Sequence, residues 1–254
     1  MQIIGYRSAS VKSKWTKTKW LLKSAEIGKY VPPTSLFNRS NLGDMLSRYR
    51  VVFFKPTGGT GGFHIFRITK SKNGYEVRHN TARKHFTGED ALYEYLKNQA
   101  KDRSYLLQKG IQLAAADGRP FDIRVMVQKS NDNVWKNTAV FTKIGKPGKV
   151  ATNYHQGGKL GFFRQTLSKA GFGQTAIEKK EAELKKLGES VGRLFDGHGS
   201  GFRELGLDVA LDRSGKAWIL EVNTRPQFYP LKRMGNQSMY RTIMSYAKQY
   251  GRTK

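Results

Sequence analysis

Val51-Val52-Phe53-Phe54-Lys55-Pro56-Thr57-Gly58-Gly59-Thr60-Gly61-Gly62 sets an apolar run, a lysine and a glycine-rich segment in that order. The apolar run reads as a buried strand with Lys55 at its end. Glycines let backbone amides approach phosphate oxygens, and the lysine adds a positive charge. The segment lacks the Gly-Lys-Ser/Thr of a P-loop. The next residues, Phe63-His64-Ile65-Phe66-Arg67-Ile68, alternate like a strand and open no helix, which excludes a P-loop and a Rossmann turn alike. A glycine loop between two antiparallel strands covers phosphates as a lid. Taken alone, the loop is equally consistent with a structural glycine turn.

Upstream, residues 14–29 carry Trp15, Trp20, Leu21, Leu22 and Ile27 among lysines, which predicts one short amphipathic helix before the Pro32-Pro33 break. Ser40 is placed to cap a second helix, with Leu42, Met45 and Leu46 on one face. Downstream, Lys72-Asn73-Gly74 turns the alternating segment into Tyr75-Glu76-Val77-Arg78, and the Thr87 to Asp90 spacing reads as a capping box opening a helix through Leu92 and Leu96. Alternation over residues 121–128 and 134–141, about Asn131-Asp132-Asn133, predicts a hairpin. Residues 178–194 read as a charged amphipathic helix. Residues 205–211 and 217–222 form a further hairpin about Asp212-Arg213-Ser214-Gly215, and a final helix closes the chain. Antiparallel strands interspersed with helices, without an internal repeat, make the fold class α+β.

The acidic candidates sit on that last hairpin. Glu221 and Asn223 are two apart on a strand and so share a face, where they offer oxygen ligands. If residues 213–216 connect the hairpin, Asp208 stands opposite Glu221 and completes a set suited to magnesium; a three-residue connection turns Asp208 away. The competing reading is a row of solvent-facing polar positions, but acids flanked by Ile219, Leu220 and Val222 in a basic chain favour the metal. Asp122 and Arg124 also share a strand face, and alone they read equally well as a surface ion pair. Thr152-Asn153-Tyr154-His155-Gln156-Gly157-Gly158 is too rich in glycine and amide for a core element; Asn153 is a candidate contact for metal-bound phosphates or substrate, and a surface turn fits equally. His155 has no metal-binding spacing to another histidine or a cysteine, which argues against zinc.

Composition narrows the partners. A formal charge of +27 over 254 residues concentrates anions at the surface, whether nucleotides, nucleic acids, acidic peptides or anionic polymers. The basic residues are scattered, so a solvated basic surface and a specific polyanion site remain equally open. There are no cysteines, which removes disulfides and thiol nucleophiles. No run nears the roughly 18 apolar residues of a membrane span, and residues 1–15 carry no secretory pattern, so a cytoplasmic location is the expectation.

In this order, FFKPTGGTGG, RPFDIRVMVQ, ATNYHQGG and ELGLDVALDRSGKAWILEVNTRP resemble the ATP-grasp superfamily, most closely its YheC/YheD-like branch described as endospore coat-associated. The resemblance spans about residues 14–230. It implies two α+β subdomains clasping ATP between antiparallel sheets: a short leading segment over residues 1–35, a lid subdomain over 36–110, and a subdomain with the magnesium site and closing helix over 111–254. Lys55 matches the lysine before the lid and Lys17 an earlier nucleotide-binding lysine, while Gly59, Thr60 and Gly62 fall on the lid, where His64 replaces a common third glycine. Gln108, Lys109, Gly110 and Ile111 match the hinge facing adenine, and Asp208, Glu221 and Asn223 the magnesium triad. Arg225 falls near the transferred phosphoryl group, and Lys143 stands where the family usually has arginine, keeping the charge without the fork.

The implied reaction passes the γ-phosphoryl group of ATP to a substrate carboxylate, and an amine then displaces phosphate; Lys55, Arg124, Lys143 and Arg225 balance the negative charge. Members commonly carry a preceding domain of about a hundred residues, and the expectation here is that it is largely absent. The carboxylate is then presented by the basic surface, by self-association or by a peptide-binding partner, with an acidic peptide or polymer as the expected substrate. The alternatives are a kinase, a non-catalytic nucleotide-binding protein associated with the spore, and a basic nucleic-acid-binding protein, in which the acidic triad has no use.

Overall fold

Two serines divide the first helical stretch. Ser13 caps α1 (Lys14–Leu22) by accepting from the Thr16 amide at 3.1 Å, and Ser24 caps a short α2 (Ala25–Gly28) by accepting from the Ile27 amide at 3.3 Å. A side-chain oxygen at that position satisfies an amide that has no partner within the helix. The single helix expected over residues 14–29 is therefore two. The computed structural model describes residues 5–59, 63–145 and 158–253, so the expectations for Thr60, Gly62 and Asn153 lie outside the described residues.

After β1 (Thr34–Leu36) comes α3 (Arg39–Arg48), capped by Asn38, whose Oδ1 accepts from the Asn41 amide at 2.7 Å; Ser40 lies inside the helix and caps nothing. β2 (Val51–Pro56) and β3 (Phe66–Ser71) pair antiparallel on either side of the glycine loop. β3 starts three residues later than the alternation suggests. His64 takes a φ of 58°, in the left-handed region that breaks a strand, and Phe63 is 64% exposed. β4 (Gly74–His79) and β5 (Ala82–Phe86) continue the meander, and α4 (Glu89–Ala100) leads into β6 (Tyr105–Lys109). No capping box forms on α4: its N-cap is Gly88, and the Asp90 carboxylate is taken by Arg39 of α3.

These strands make an antiparallel sheet in the order β1-β6-β2-β3-β4-β5. Its alternate residues Val52, Phe54, Phe66, Ile68 and Val77 pack against Leu42, Met45 and Leu46 of α3 and Leu92 and Leu96 of α4. Phe53, Lys55 and Gln108 are thereby left on the opposite face.

The second half supplies β7 (Ala115–Ala116), β8 (Arg119–Lys129), β9 (Trp135–Ile144), β10 (Lys159–Phe162), α5 (Phe163–Lys169), α6 (Gln174–Asp196), β11 (Glu204–Leu211), β12 (Ala217–Asn223) and α7 (Ser238–Ala247). The sheet order is β10-β9-β8-β11-β12, with β7 beside β8, and every pairing is antiparallel. Leu184, Leu187, Val191 and Phe195 of α6 share one core with Ile123, Val125, Val127, Leu205 and Leu207, and Leu21 of α1 joins it. α7 lies over the other face at one end only, where Ile243 and Ala247 meet Met126, Ala139 and Phe141. The uncovered end of that face carries the charged residues. No helix among the described residues is long and apolar enough to cross a membrane.

Candidate active site

The β11–β12 hairpin reaches its register through a bulge. Leu211 pairs with Ala217 and Val209 with Ile219, a register that would set Glu221 opposite Leu207 if it continued. One extra residue, Leu220, shifts the ladder so that Asp208 faces Glu221. The longer connection of residues 212–216 and the bulge together give the pairing that a four-residue connection gives without one. The bulge also has a use of its own: the Leu220 carbonyl accepts from Lys55 Nζ at 3.2 Å, joining the two sheets.

Asp208 pairs on its other side with Arg124 of β8, and Asp122 pairs with Lys143 of β9. Arg124 Nε and Lys143 Nζ each donate to Asp208 Oδ1 at 2.8 Å, Asn223 Nδ2 donates to Oδ2 at 3.1 Å, and Lys143 lies 3.2 Å from Asp122. Burial pushes the Asp208 carboxyl up, but the charges of Arg124 and Lys143 outweigh it and hold the group well below the usual carboxylate range. Asp122 and Arg124 are therefore buried beneath this cluster and not at the surface.

Opposite stand three lysines. Lys17 and Lys55 are buried; desolvation lowers the pKa of Lys17 and brings that of Lys55 down to about 8, with Glu221 acting in the other direction on both. Lys55 Nζ donates to Gln108 Oε1 at 2.8 Å, and Gln108 Nε2 donates in turn to Thr34 Oγ1 at 3.1 Å. Lys14, which the sequence pattern did not single out, lies 3.3 Å from Glu221 Oε1 and donates to the Gly59 carbonyl at 2.6 Å. It ties α1 to the glycine loop at a residue whose φ of 91° suits glycine. Its signal in the sequence is the three-residue spacing to Lys17, which puts both on one face of a helix.

Lys14, Lys17, Lys55, Leu220 and Glu221 line one pocket between the sheets. The cations Lys14, Lys17, Lys55, Arg124 and Lys143 number five and the carboxylates Asp122, Asp208 and Glu221 three, an excess of two positive charges in a largely buried place. Charge withdrawn from water is costly unless paired, so the pocket suits an anion. Asp208, Glu221 and Asn223 share one face of the hairpin and carry oxygen donors of the kind magnesium takes, although in this structure Asp208 Oδ1 is held by Arg124 and Lys143 and its Oδ2 by Asn223 Nδ2. Among the described residues no group of three or more His, Cys, Asp or Glu side chains is placed to hold a metal ion, so the candidate set is two carboxylates and an amide.

In the segment 108–111, expected as the hinge, the Lys109 amide donates to Pro33 O, and its ammonium lies 5.3 Å from the rings of both Tyr49 and Trp218, one from each half of the chain. The Gly110 amide donates to Val51 O, and a Cβ on Gly110 would come within 2.5 Å of Val51 Cγ1. Gly110→Ala is expected to lower the unfolding free energy by about 1–3 kcal/mol in urea titration, through overpacking; an unchanged midpoint would show that the contact yields freely. Ile111 comes next, half-buried. Arg225 is exposed and stacks on Tyr6 at 4.6 Å, outside the cluster around Asp208.

This chain is similar to the endospore coat-associated proteins YheD and YheC of Bacillus subtilis (strain 168), at 28% identity over 222 residues and 24% over 223. Each match covers 84% of this chain, but 48% of YheD and 59% of YheC, so the chain spans about half the length of these curated relatives. Among solved structures it superposes on N5-carboxyaminoimidazole synthase from Aspergillus clavatus, in complex with ADP and 5-aminoimidazole ribonucleotide, with a TM-score of 0.57 at 11% identity over 95% of this chain and 54% of that one. The C-terminal domain of Pby1 from K. lactis, an ATP-grasp enzyme, gives 0.54 at 14% identity over 95% of this chain and 74% of that one. At such identities the likeness is one of fold: two antiparallel sheets with helices packed on them. The model for the YheC/D-like ATP-grasp family matches residues 4–253, nearly the whole length, and this chain belongs to that family.

Proposed function

We propose that this chain is an ATP-dependent ligase that activates a substrate carboxylate for attack by an amine. The observation that carries the reading is the pocket between the sheets, where Lys14, Lys17 and Lys55 meet Glu221 with two positive charges in excess. Solved neighbours of the same fold with ADP bound support the nucleotide part. Lys17 and Lys55 neutralise phosphate oxygens, and Gln108 holds Lys55 in place. Gly59, Thr60 and Gly62 cover the phosphates, Asn153 adds a contact, and residues 108–111 face adenine. Asp208, Glu221 and Asn223 hold Mg²⁺, which when bound supplies charge neutralisation across the phosphates. Arg124 and Lys143 fix the Asp208 carboxylate and balance charge developing on the transferred group. Arg225, exposed two residues beyond Asn223, is the further positive charge proposed for the transferred phosphoryl group.

The substrate carboxylate oxygen attacks the γ-phosphorus and ADP leaves; the amine nitrogen then attacks the acyl carbon, gives up a proton and displaces phosphate. No covalent nucleophile of the protein is needed, since positioning and charge suffice. The substrate proposed is an acidic peptide or polymer drawn by the +27 surface. The test supplies Mg-ATP, acidic peptides and an amine, then tracks phosphate release and acceptor mass. The expected result is phosphate in step with an amide mass gain, and a loss of about 100-fold or more in Glu221→Ala. A phosphorylated acceptor without phosphate release would make the protein a kinase, and equal turnover in Glu221→Ala would remove the metal assignment.

A further inference from the structure

Phe53 of β2 pairs with Arg67 of β3, Arg67 with Arg78 of β4, and Arg78 with Arg83 of β5. Direct cross-strand partners project to one face. Three arginines therefore stand side by side on neighbouring strands about 5 Å apart. Phe53 and Gln108 continue the row inward, and Gln108 holds Lys55. The face is the one turned away from α3 and α4, because the alternate residues Phe66, Ile68 and Val77 fill the core beneath those helices. The row thus runs from the pocket to β5, the last strand in the sheet order.

Like charges directly opposite one another destabilise a sheet. Residues 49–88 contain eight Lys and Arg (Arg50, Lys55, Arg67, Lys70, Lys72, Arg78, Arg83 and Lys84) and one acid, Glu76. Glu76 sits one row away on the same face, in register with Thr69 and His85, and its carboxylate is 3.8 Å from both Arg83 Nη1 and His85 Nε2. Among the described residues of these strands one carboxylate stands on this face against three guanidinium groups, of which Arg78 also donates through Nε to Asn80 O at 3.3 Å, so the face carries a net positive charge.

We infer that the arginine row is a docking platform for an acidic peptide chain, whose carboxylates pair with Arg67, Arg78 and Arg83 and lead one of their number to the Lys55 pocket. The inference rests on the ligase reading and gives the acidic substrate of that reading a specific docking site. Guanidinium groups take carboxylates through paired N–H bonds, which three adjacent arginines offer to a flexible acidic chain. A nucleic-acid single strand stacks successive bases on aromatic rings; this face offers Phe53 at the inner end of the row and His85 beyond Thr69 and Glu76, so it presents a line of guanidinium groups and not a line of rings.

The test is the anisotropy of a fluorescein-labelled oligoglutamate, titrated with the full chain, with Arg78→Ala/Arg83→Ala, and with Lys179→Ala/Lys186→Ala, which removes two exposed charges from α6. Affinity is expected to fall about tenfold in the arginine variant, and to change little in the lysine variant, with Mg-ATP affinity alike in all three. Equal weakening in both variants would overturn the platform in favour of the general basic field. So would a single-stranded oligonucleotide of equal charge that binds more tightly than the peptide and depends on the same arginines. Failure of the ligase reading shows separately, as absence of Mg-ATP binding by the parent chain.

Discussion

Arg252→Ala is expected to lower the unfolding free energy by about 3–5 kcal/mol in urea titration, because it strands a charge in the core. Glu204, at 0% exposure, is bonded there by Arg252, itself 4% exposed, and accepts from the hydroxyls of Tyr6 and Tyr250 at 2.8 Å each. Burial and the Glu204 charge push the Tyr6 phenol up to about 12 and that of Tyr250 higher still, so both remain protonated donors. Gln128 Nε2 donates to the Tyr250 hydroxyl at 2.6 Å, and Arg252 Nη2 donates to Pro226 O at 3.0 Å. One buried network thus fastens residues near both described ends of the chain to the strand that carries Asp208 and to the turn after Asn223. Glu204→Gln in the Arg252→Ala background is expected to recover part of the loss, since it removes the stranded charge. A loss below about 1 kcal/mol in Arg252→Ala would mean that water reaches Glu204 and the network is not closed.

Lys55→Met is expected to weaken Mg-ATP binding by about 100-fold, close to 2.7 kcal/mol, the scale of a charged hydrogen-bonding group withdrawn from phosphate. Stability should nevertheless change little. Methionine removes the burden of burying an ammonium but leaves Gln108 Oε1 and the Leu220 carbonyl without their donor, and the two effects, each about 1–3 kcal/mol, oppose one another. A pH signature separates them. Desolvation holds the folded-state pKa of Lys55 at about 8, below its ordinary 10.5, so between those values the unfolded chain binds more protons than the folded one. The parent's stability contribution from Lys55 is therefore full above 10.5 and lost as pH falls through about 8. Urea titrations across this window should show a rise with pH that is smaller in Lys55→Met. Identical slopes would place Lys55 in water, contrary to its burial.

Much of this site is legible in the sequence because strands report their own faces. Glu221 and Asn223, or Asp122 and Arg124, share a face by spacing alone. The opposition of Asp208 and Glu221 is harder, since it depends on a bulge at Leu220 that no residue type announces; the expected pairing is reached by a different route. Local chemistry also misleads where two candidates compete. Asn38 outbids Ser40 as a cap, and Arg39 draws Asp90 away from Thr87. β5 is hidden because Ala82-Arg83-Lys84-His85-Phe86 has no apolar alternation and pairs on one side only. Lys14 and the Glu204 network are hidden for another reason: their partners lie 45 to 207 positions away, and only the folded chain brings them together.

The central claim, that Mg²⁺ and ATP bind together at Asp208, Glu221 and Asn223 beside Lys55, is tested most directly by calorimetric titration of ATP with and without Mg²⁺, in the parent chain and in Glu221→Gln. The expected result is one ATP bound per chain, more tightly with Mg²⁺ than without, and a loss of about tenfold or more in Glu221→Gln that appears only when the metal is present. ATP affinity indifferent to Mg²⁺ and unaltered in Glu221→Gln would contradict it.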